Sequence, residues 1–158
     1  GAIPSVKGTA VIDATQEALF FTSRPKEKFV IGADYKMEKI TVSLNNTYFG
    51  STEFRQTGID PNLKTVFEPK VVSDLAVSYD LFENVSLSAN VNNVLDVTPK
   101  WKFEALNAAG QAIINDPAQT KVQTNFLTFN GRYSIMTYDG FHFSQLGRIY
   151  NLTATYTF

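Results

Sequence analysis

The chain of 158 residues contains no cysteine. That excludes a disulfide framework and a thiolate metal site. Its single histidine, His142, with no thiol beside it removes the usual ligand set of a transition metal. Charged residues make up only 18%, and the net charge is -1. A nucleic-acid surface needs a basic excess that is absent here. No stretch approaches the ~20 apolar residues of a transmembrane helix. Strands that alternate apolar and polar residues escape that test. Gly1-Ala2-Ile3-Pro4 has neither the basic start nor the apolar stretch of a signal peptide, so the expectation is a processed chain or a piece of a longer one. There is no glycine-rich phosphate loop, nucleophile elbow or HExxH motif.

Aromatic side chains and alternation are what the chain does have. Aromatics make up 13%, yet the mean hydropathy is only -0.11. That combination suits a surface apolar on one side and polar on the other. The last residues carry the pattern most clearly. Tyr150, Leu152, Ala154, Tyr156 and Phe158 alternate with Asn151, Thr153, Thr155 and Thr157. A strand presents alternate side chains to opposite faces, so this segment has one greasy and one wet face. Aromatic residues stand at both ends of the greasy stripe, as at the two interfaces of an outer-membrane strand.

Two hairpins repeat the plan. Phe29 to Met37 and Ile40 to Tyr48 alternate around a turn at Met37-Glu38-Lys39. Leu75 to Leu81 and Val85 to Val91 alternate around Phe82-Glu83-Asn84. With the terminal segment these make five secure strands. Val6 to Ile12 and Glu17 to Thr22 are weaker strand candidates, and Thr124 to Thr137 is a candidate extra hairpin. Gly50 to Lys70 reads as a polar connection, and Asp96 to about Leu146 as a long loop. Short turns alternate with long connections, so the last strand begins at the long-connection end and finishes at the short-turn end. A barrel of even strand number requires that ending.

The run Asn92-Asn93-Val94-Leu95-Asp96, the strands around Ser73 to Tyr79 and Val85 to Asn92, and the ending Gly147-Arg148-Ile149-Tyr150 to Phe158 resemble the closing strands of TonB-dependent outer-membrane receptors. Pro25-Lys26-Glu27-Lys28 and Tyr48-Phe49-Gly50 are similar to a strand pair of the same family. The resemblance covers roughly residues 24–96 and 147–158. It implies an all-β fold: an antiparallel meander of transmembrane hairpins, part of a large outer-membrane β-barrel. It implies that residues 1–158 are the C-terminal portion, with an extracellular loop at about 96–146 and no plug domain or TonB box. Energy-coupled uptake of a siderophore, metal chelate or oligosaccharide follows from the resemblance, not from any residue here. So do the partners: outer-membrane lipid, the rest of the barrel and its plug, the TonB complex indirectly, and the barrel-assembly machinery. By the same resemblance Phe158, Tyr156 and Tyr150 form the assembly signal.

The remaining candidates are weighed on their chemistry. Trp101, Phe103, Tyr133, Tyr138 and Phe141 are candidate ligand-stacking aromatics; self-packing of the loop is the simpler role. His142 and Ser144 share an alternating face, but no carboxylate follows to orient the histidine, so the expectation is a non-enzyme. No cofactor or metal is expected. The Asn92 to Asp96 run reads as strand-end turn chemistry rather than a binding site. Two other architectures fit the pattern: a complete eight-stranded outer-membrane barrel and a soluble carbohydrate-binding β-sandwich.

Overall fold

The computed structural model describes residues 12, 14–55, 58–127 and 146–158. Over these the chain is mostly antiparallel β-sheet with three short helices. The order is α1 (Ala14–Phe21), β1 (Lys28–Met37), β2 (Ile40–Phe49), β3 (Thr52–Phe54), β4 (Leu63–Phe67), β5 (Lys70–Phe82), β6 (Val85–Asn92), β7 (Trp101–Ala105), α2 (Ala108–Asn115), α3 (Pro117–Leu127) and β8 (Ile149–Tyr156). The elements fall into two compact units.

One unit is a five-stranded sheet in the order β1-β2-β5-β6-β8, antiparallel at every step. These are the five strands that alternation marks out. Two-residue turns, Glu38-Lys39 and Glu83-Asn84, join β1 to β2 and β5 to β6. Glu38 adopts φ 48, the left-handed value that tight hairpins use at a central residue. Both turns lie at one end of the sheet, and the chain leaves for its long excursions at the other.

The other unit holds the sheet β3-β4-β7 with α1, α2 and α3. Thr52, Phe54, Leu63, Thr65 and Phe67 share one face and are buried. Phe54 and Leu63 are 1% and 2% exposed, so the core of this unit sits there. Asn107 caps α2 by accepting a hydrogen bond from the Gly110 amide at 3.0 Å. It also donates through Nδ2 to Asn62 Oδ1 at 2.7 Å. Gly110 is buried, and a Cβ there would collide with the Asn62 carbonyl, so glycine is what lets α2 approach the start of β4.

Four expectations need correction. Gly50 to Lys70 is not merely a polar connection; it holds β3 and β4, whose Phe54, Leu63 and Phe67 are buried. Glu17 to Thr22 is not a strand; Glu17–Phe21 is helical within α1, where Ala14, Gln16, Glu17, Ala18 and Leu19 include good helix formers. Thr124–Leu127 ends α3 rather than opening a hairpin, and the rest of that candidate lies outside the described residues, as does Val6–Val11. The segment at 96–146 is not structureless, since it contains β7, α2 and α3.

Candidate functional site

Matched register turns five amphipathic strands into one amphipathic sheet. Across it run the rows Ala33–Leu44–Leu75–Val91–Tyr150, Tyr35–Val42–Val77–Ala89–Leu152 and Met37–Ile40–Tyr79–Leu87–Ala154. Phe29 and Tyr48 extend the same face toward the long-connection end, with ring centroids 5.9 Å apart. Val85 and Tyr156 extend it toward the turns. Every residue in these rows is apolar or aromatic. At strand spacings of ~4.8 Å and same-face spacings of ~6.8 Å, the face covers on the order of 700 Å². It is open: Ile31 is 74% exposed, Leu152 82% and Tyr150 67%. Soluble monomers rarely leave so large a continuous apolar patch in water.

The opposite face is mostly polar, although Val30, Phe49, Val72 and Ala76 also lie on it. Its rows are Asp34–Ser43–Ala76–Asn90–Asn151 and Lys36–Thr41–Ser78–Ser88–Thr153. Gly32 belongs here, and a Cβ on it would collide with Asn45 Oδ1. The missing side chain leaves that amide room on the polar face. One polar pair interrupts the apolar face. Ser73, only 7% exposed, donates to Asn46 Oδ1 at 2.6 Å, so the two satisfy each other.

A clasp of turns locks the long-connection end. Asn93 is buried in the left-handed region, φ 54. Its Oδ1 accepts from the Val97 amide at 2.8 Å, and its Nδ2 donates to the Val97 carbonyl at 2.7 Å. Its own amide donates to Asp74 Oδ1 on β5 at 2.8 Å. The Val94 amide donates to the Ser73 carbonyl at 2.7 Å. Asp96 Oδ1 then accepts from the Arg148 amide at 2.9 Å, just before β8. Gly147, φ 73, passes so close that a Cβ would strike the Asp96 carboxylate. These bonds tie β5, the end of β6 and the start of β8 together. That is the turn chemistry expected of Asn92 to Asp96; the long-range partners Asp74 and Arg148 have no local sequence signal.

Tyr150, Tyr156 and Phe158 all stand exposed at the β8 edge. Tyr156 and Phe158 meet edge to face, centroids 5.0 Å apart and planes at 84°. β8 pairs with β6 on one side and, among the described residues, with no strand on the other. β1 is the opposite edge. The two edges differ: β1 carries Lys28, Gly32, Asp34 and Lys36, whereas β8 has no charge, proline or glycine. Charges and breaks blunt an edge against unintended pairing, and β8 has none.

Trp101 and Phe103 are not loop residues. They share a face of β7, half-buried, with centroids 5.4 Å apart. Tyr133, Tyr138 and Phe141 lie outside the described residues, as do His142 and Ser144. Among the described residues no group of three or more His, Asp or Glu side chains is placed to hold a metal.

The second unit has its own charge network. Lys64 Nζ lies 2.7 Å from Glu53 and 3.5 Å from Glu104, and Lys102 lies 3.0 Å from Glu104. The hydrogen bond to Glu53 raises the Lys64 ammonium above its ordinary range. The hydrogen bond from Lys102 holds the Glu104 carboxyl below its own. The Glu104 contribution is therefore complete above the ordinary pKa of 4.5 and is lost as pH falls through the lowered value. The Lys64 contribution is complete below 10.5 and is lost as pH rises through the raised value. Partial exposure screens both, so Glu104→Gln is expected to cost less than about 1 kcal/mol. Thermal unfolding followed through Trp101, the only tryptophan, checks this. A Glu104→Gln protein that loses as much stability as the parent on acidification from pH ~6 to ~3 would count against it.

Comparison with known proteins leaves this geometry to stand alone: no family model, no curated protein and no solved structure matches the chain.

Proposed function

We propose that the five-stranded sheet is a stretch of wall in a large outer-membrane β-barrel, and that the barrel is a TonB-dependent receptor that imports a scarce nutrient. One observation carries the membrane part: an apolar face across all five strands, broken only by the Ser73–Asn46 pair and open to its surroundings, backed by a mostly polar face. In lipid the first face meets acyl chains and the second meets water in the lumen. Strand length supports the assignment. β1 and β2 have ten residues each, about 34 Å of strand, which at a ~40° tilt spans the ~25 Å apolar band of such barrels. Short turns at one end and long excursions at the other fit periplasmic and extracellular sides respectively. Lipid cannot satisfy the open edges of β1 and β8, so strands outside these five would complete the wall.

The receptor assignment rests on the resemblance of the Asn92 to Asp96 run and the terminal strand to that family. The clasp built by that run gives it a structural purpose at a wall strand's outer end. A soluble sandwich would bury the apolar stripe, and here it is exposed. An eight-stranded barrel would use all strands in one sheet, whereas the eight described strands divide five and three. These contrasts favour the large barrel.

The chain has no cysteine, so single labels are unambiguous. The full chain, folded into lipid vesicles, is labelled at Leu152→Cys or Tyr35→Cys on one face and at Thr153→Cys or Ser43→Cys on the other. Brominated acyl chains are expected to quench the first pair and spare the second. Solubility without detergent and equal water access at all four sites would overturn the wall assignment. The receptor assignment has its own check. The encoding gene is expected to specify a plug and further wall strands, and a gene lacking both would overturn it while leaving the wall intact.

A further inference from the structure

Helix α1 turns one face toward β3 and β4. Ala14, Glu17, Ala18 and Phe21 form it, at the i, i+3, i+4, i+7 spacing of one helix side. Two of the four are alanines, and of the four only Ala18 is buried. Side chains this short do not fill the space between helix and sheet, and a cleft of about 80 Å³ remains. Its walls are fixed. The Glu53 amide donates to the Thr22 carbonyl at 2.9 Å, and Thr22 Oγ1 donates to the Glu53 carbonyl at 2.8 Å. The end of α1 is thus pinned to β3, so the cleft is formed before any ligand arrives.

Four charged side chains line the cleft: Glu17 and Glu53, Arg55 and Lys64. Lys64 Nζ and Glu53 occupy each other at 2.7 Å. Glu17, on α1, and Arg55, directly after β3, do not meet. Both are exposed, and among the described residues neither side chain has a hydrogen bond or an ion pair. A carboxylate and a guanidinium therefore border one small space without neutralising each other. A simple anion would answer Arg55 and be repelled by Glu17 and Glu53; a simple cation would meet the reverse. A molecule with both charges answers both walls, and its net charge of zero matches that of the cleft. The space is far below the ~300 Å³ of a drug-sized pocket, so the ligand has only a few heavy atoms.

We infer that the cleft between α1 and the strands β3 and β4 binds a small zwitterion, an ammonium and a carboxylate on a short carbon skeleton, as in a free amino acid. Arg55 takes the carboxylate and Glu17 the ammonium, both as charge-assisted hydrogen bonds. Ala14, Ala18 and Phe21 contact the skeleton. The Glu53–Lys64 pair forms a neutral floor. The whole site lies within the second unit, so it stands or falls independently of the membrane wall.

Isothermal titration calorimetry on the full chain, at neutral pH and in low salt where screening is weak, compares four probes. L-Alanine and 4-aminobutyrate carry both charges, propionate only the negative one, and ethylamine only the positive one. At least one zwitterion is expected to bind about tenfold tighter than propionate and ethylamine, each of which lacks one charged contact. Arg55→Gln and Glu17→Gln should each weaken that zwitterion about tenfold. Ala14→Leu fills the cleft without touching a charge and should abolish binding. Thermal unfolding unchanged in these variants separates loss of the site from loss of the fold. Propionate or ethylamine binding as tightly as the zwitterions would overturn the site. So would no binding by any probe, or an affinity unmoved by either one of the two charge substitutions.

Discussion

On the proposed wall assignment, arginine in place of Leu152 should destabilise the inserted chain by about 2–4 kcal/mol, the cost of a cation at a lipid-facing strand position near the bilayer midplane. Leu152 ends the central row Tyr35–Val42–Val77–Ala89–Leu152 and is 82% exposed, so no protein neighbour shields it. Thr153 is one residue away on the polar face. Thr153→Arg should change stability by no more than about 0.5 kcal/mol, as solvated surface substitutions do. The pair is decisive because both sites have the same strand, the same exposure class and the same substitution. Denaturant unfolding in vesicles, followed by gel mobility of folded and unfolded forms, measures the difference. Equal effects at the two positions would remove lipid from the account of this face.

The second large effect belongs to Asn93. Alanine there leaves the Val97 amide and carbonyl without the side-chain partners that now lie 2.8 and 2.7 Å away. It also forces an ordinary residue to keep φ 54. Two lost bonds and the backbone strain together should cost about 2–4 kcal/mol. Glycine tolerates the same φ, so Asn93→Gly should recover roughly 1 kcal/mol of that loss. Aspartate keeps the acceptor and loses only the donor, so it should fall between asparagine and alanine. An alanine variant as stable as the parent, in the same unfolding assay, would mean that the clasp contributes nothing to holding β5, β6 and β8 together.

The five strands of the larger sheet were legible because period-two alternation survives along most of each, from Phe29 to Tyr156. Register then followed from the short turns Glu38-Lys39 and Glu83-Asn84. The second unit was less legible for a physical reason. Val66 and Phe67 are both buried, so β4 shows no clean alternation. The helices α2 and α3 are mostly exposed and are set by caps rather than by an apolar stripe. Asp116 accepts hydrogen bonds from the amides of Ala118 and Gln119, with Pro117 in the first helical position. Asp-Pro at that point is a helix-start signal that reading for apolar periodicity passes over. For α1, a helix of eight residues whose described side chains include one buried, Ala18, there was almost no pattern to find. In the clasp, the turn chemistry of Asn93 could be read locally. Its bonds to Asp74 and from Arg148 to Asp96 span 19 and 52 residues, and no local pattern encodes them.

The spacing of the strands also sets an order of assembly. The two hairpins close across two-residue turns, which costs little chain entropy, and hairpins of this kind form in ~1–10 μs. Pairing β2 with β5 must bring together ends separated by residues 50–69. Pairing β6 with β8 must wait for the much longer span 93–148. The longer span is nearly three times the shorter, which adds only about 1 kcal/mol of closure entropy. Yet it makes β8 the last of the five to arrive. The bond between Asp96 and Arg148 receives it at the point of entry. The strand with the least guarded edge is thus the last to pair, and the clasp decides when its inner edge is covered by β6.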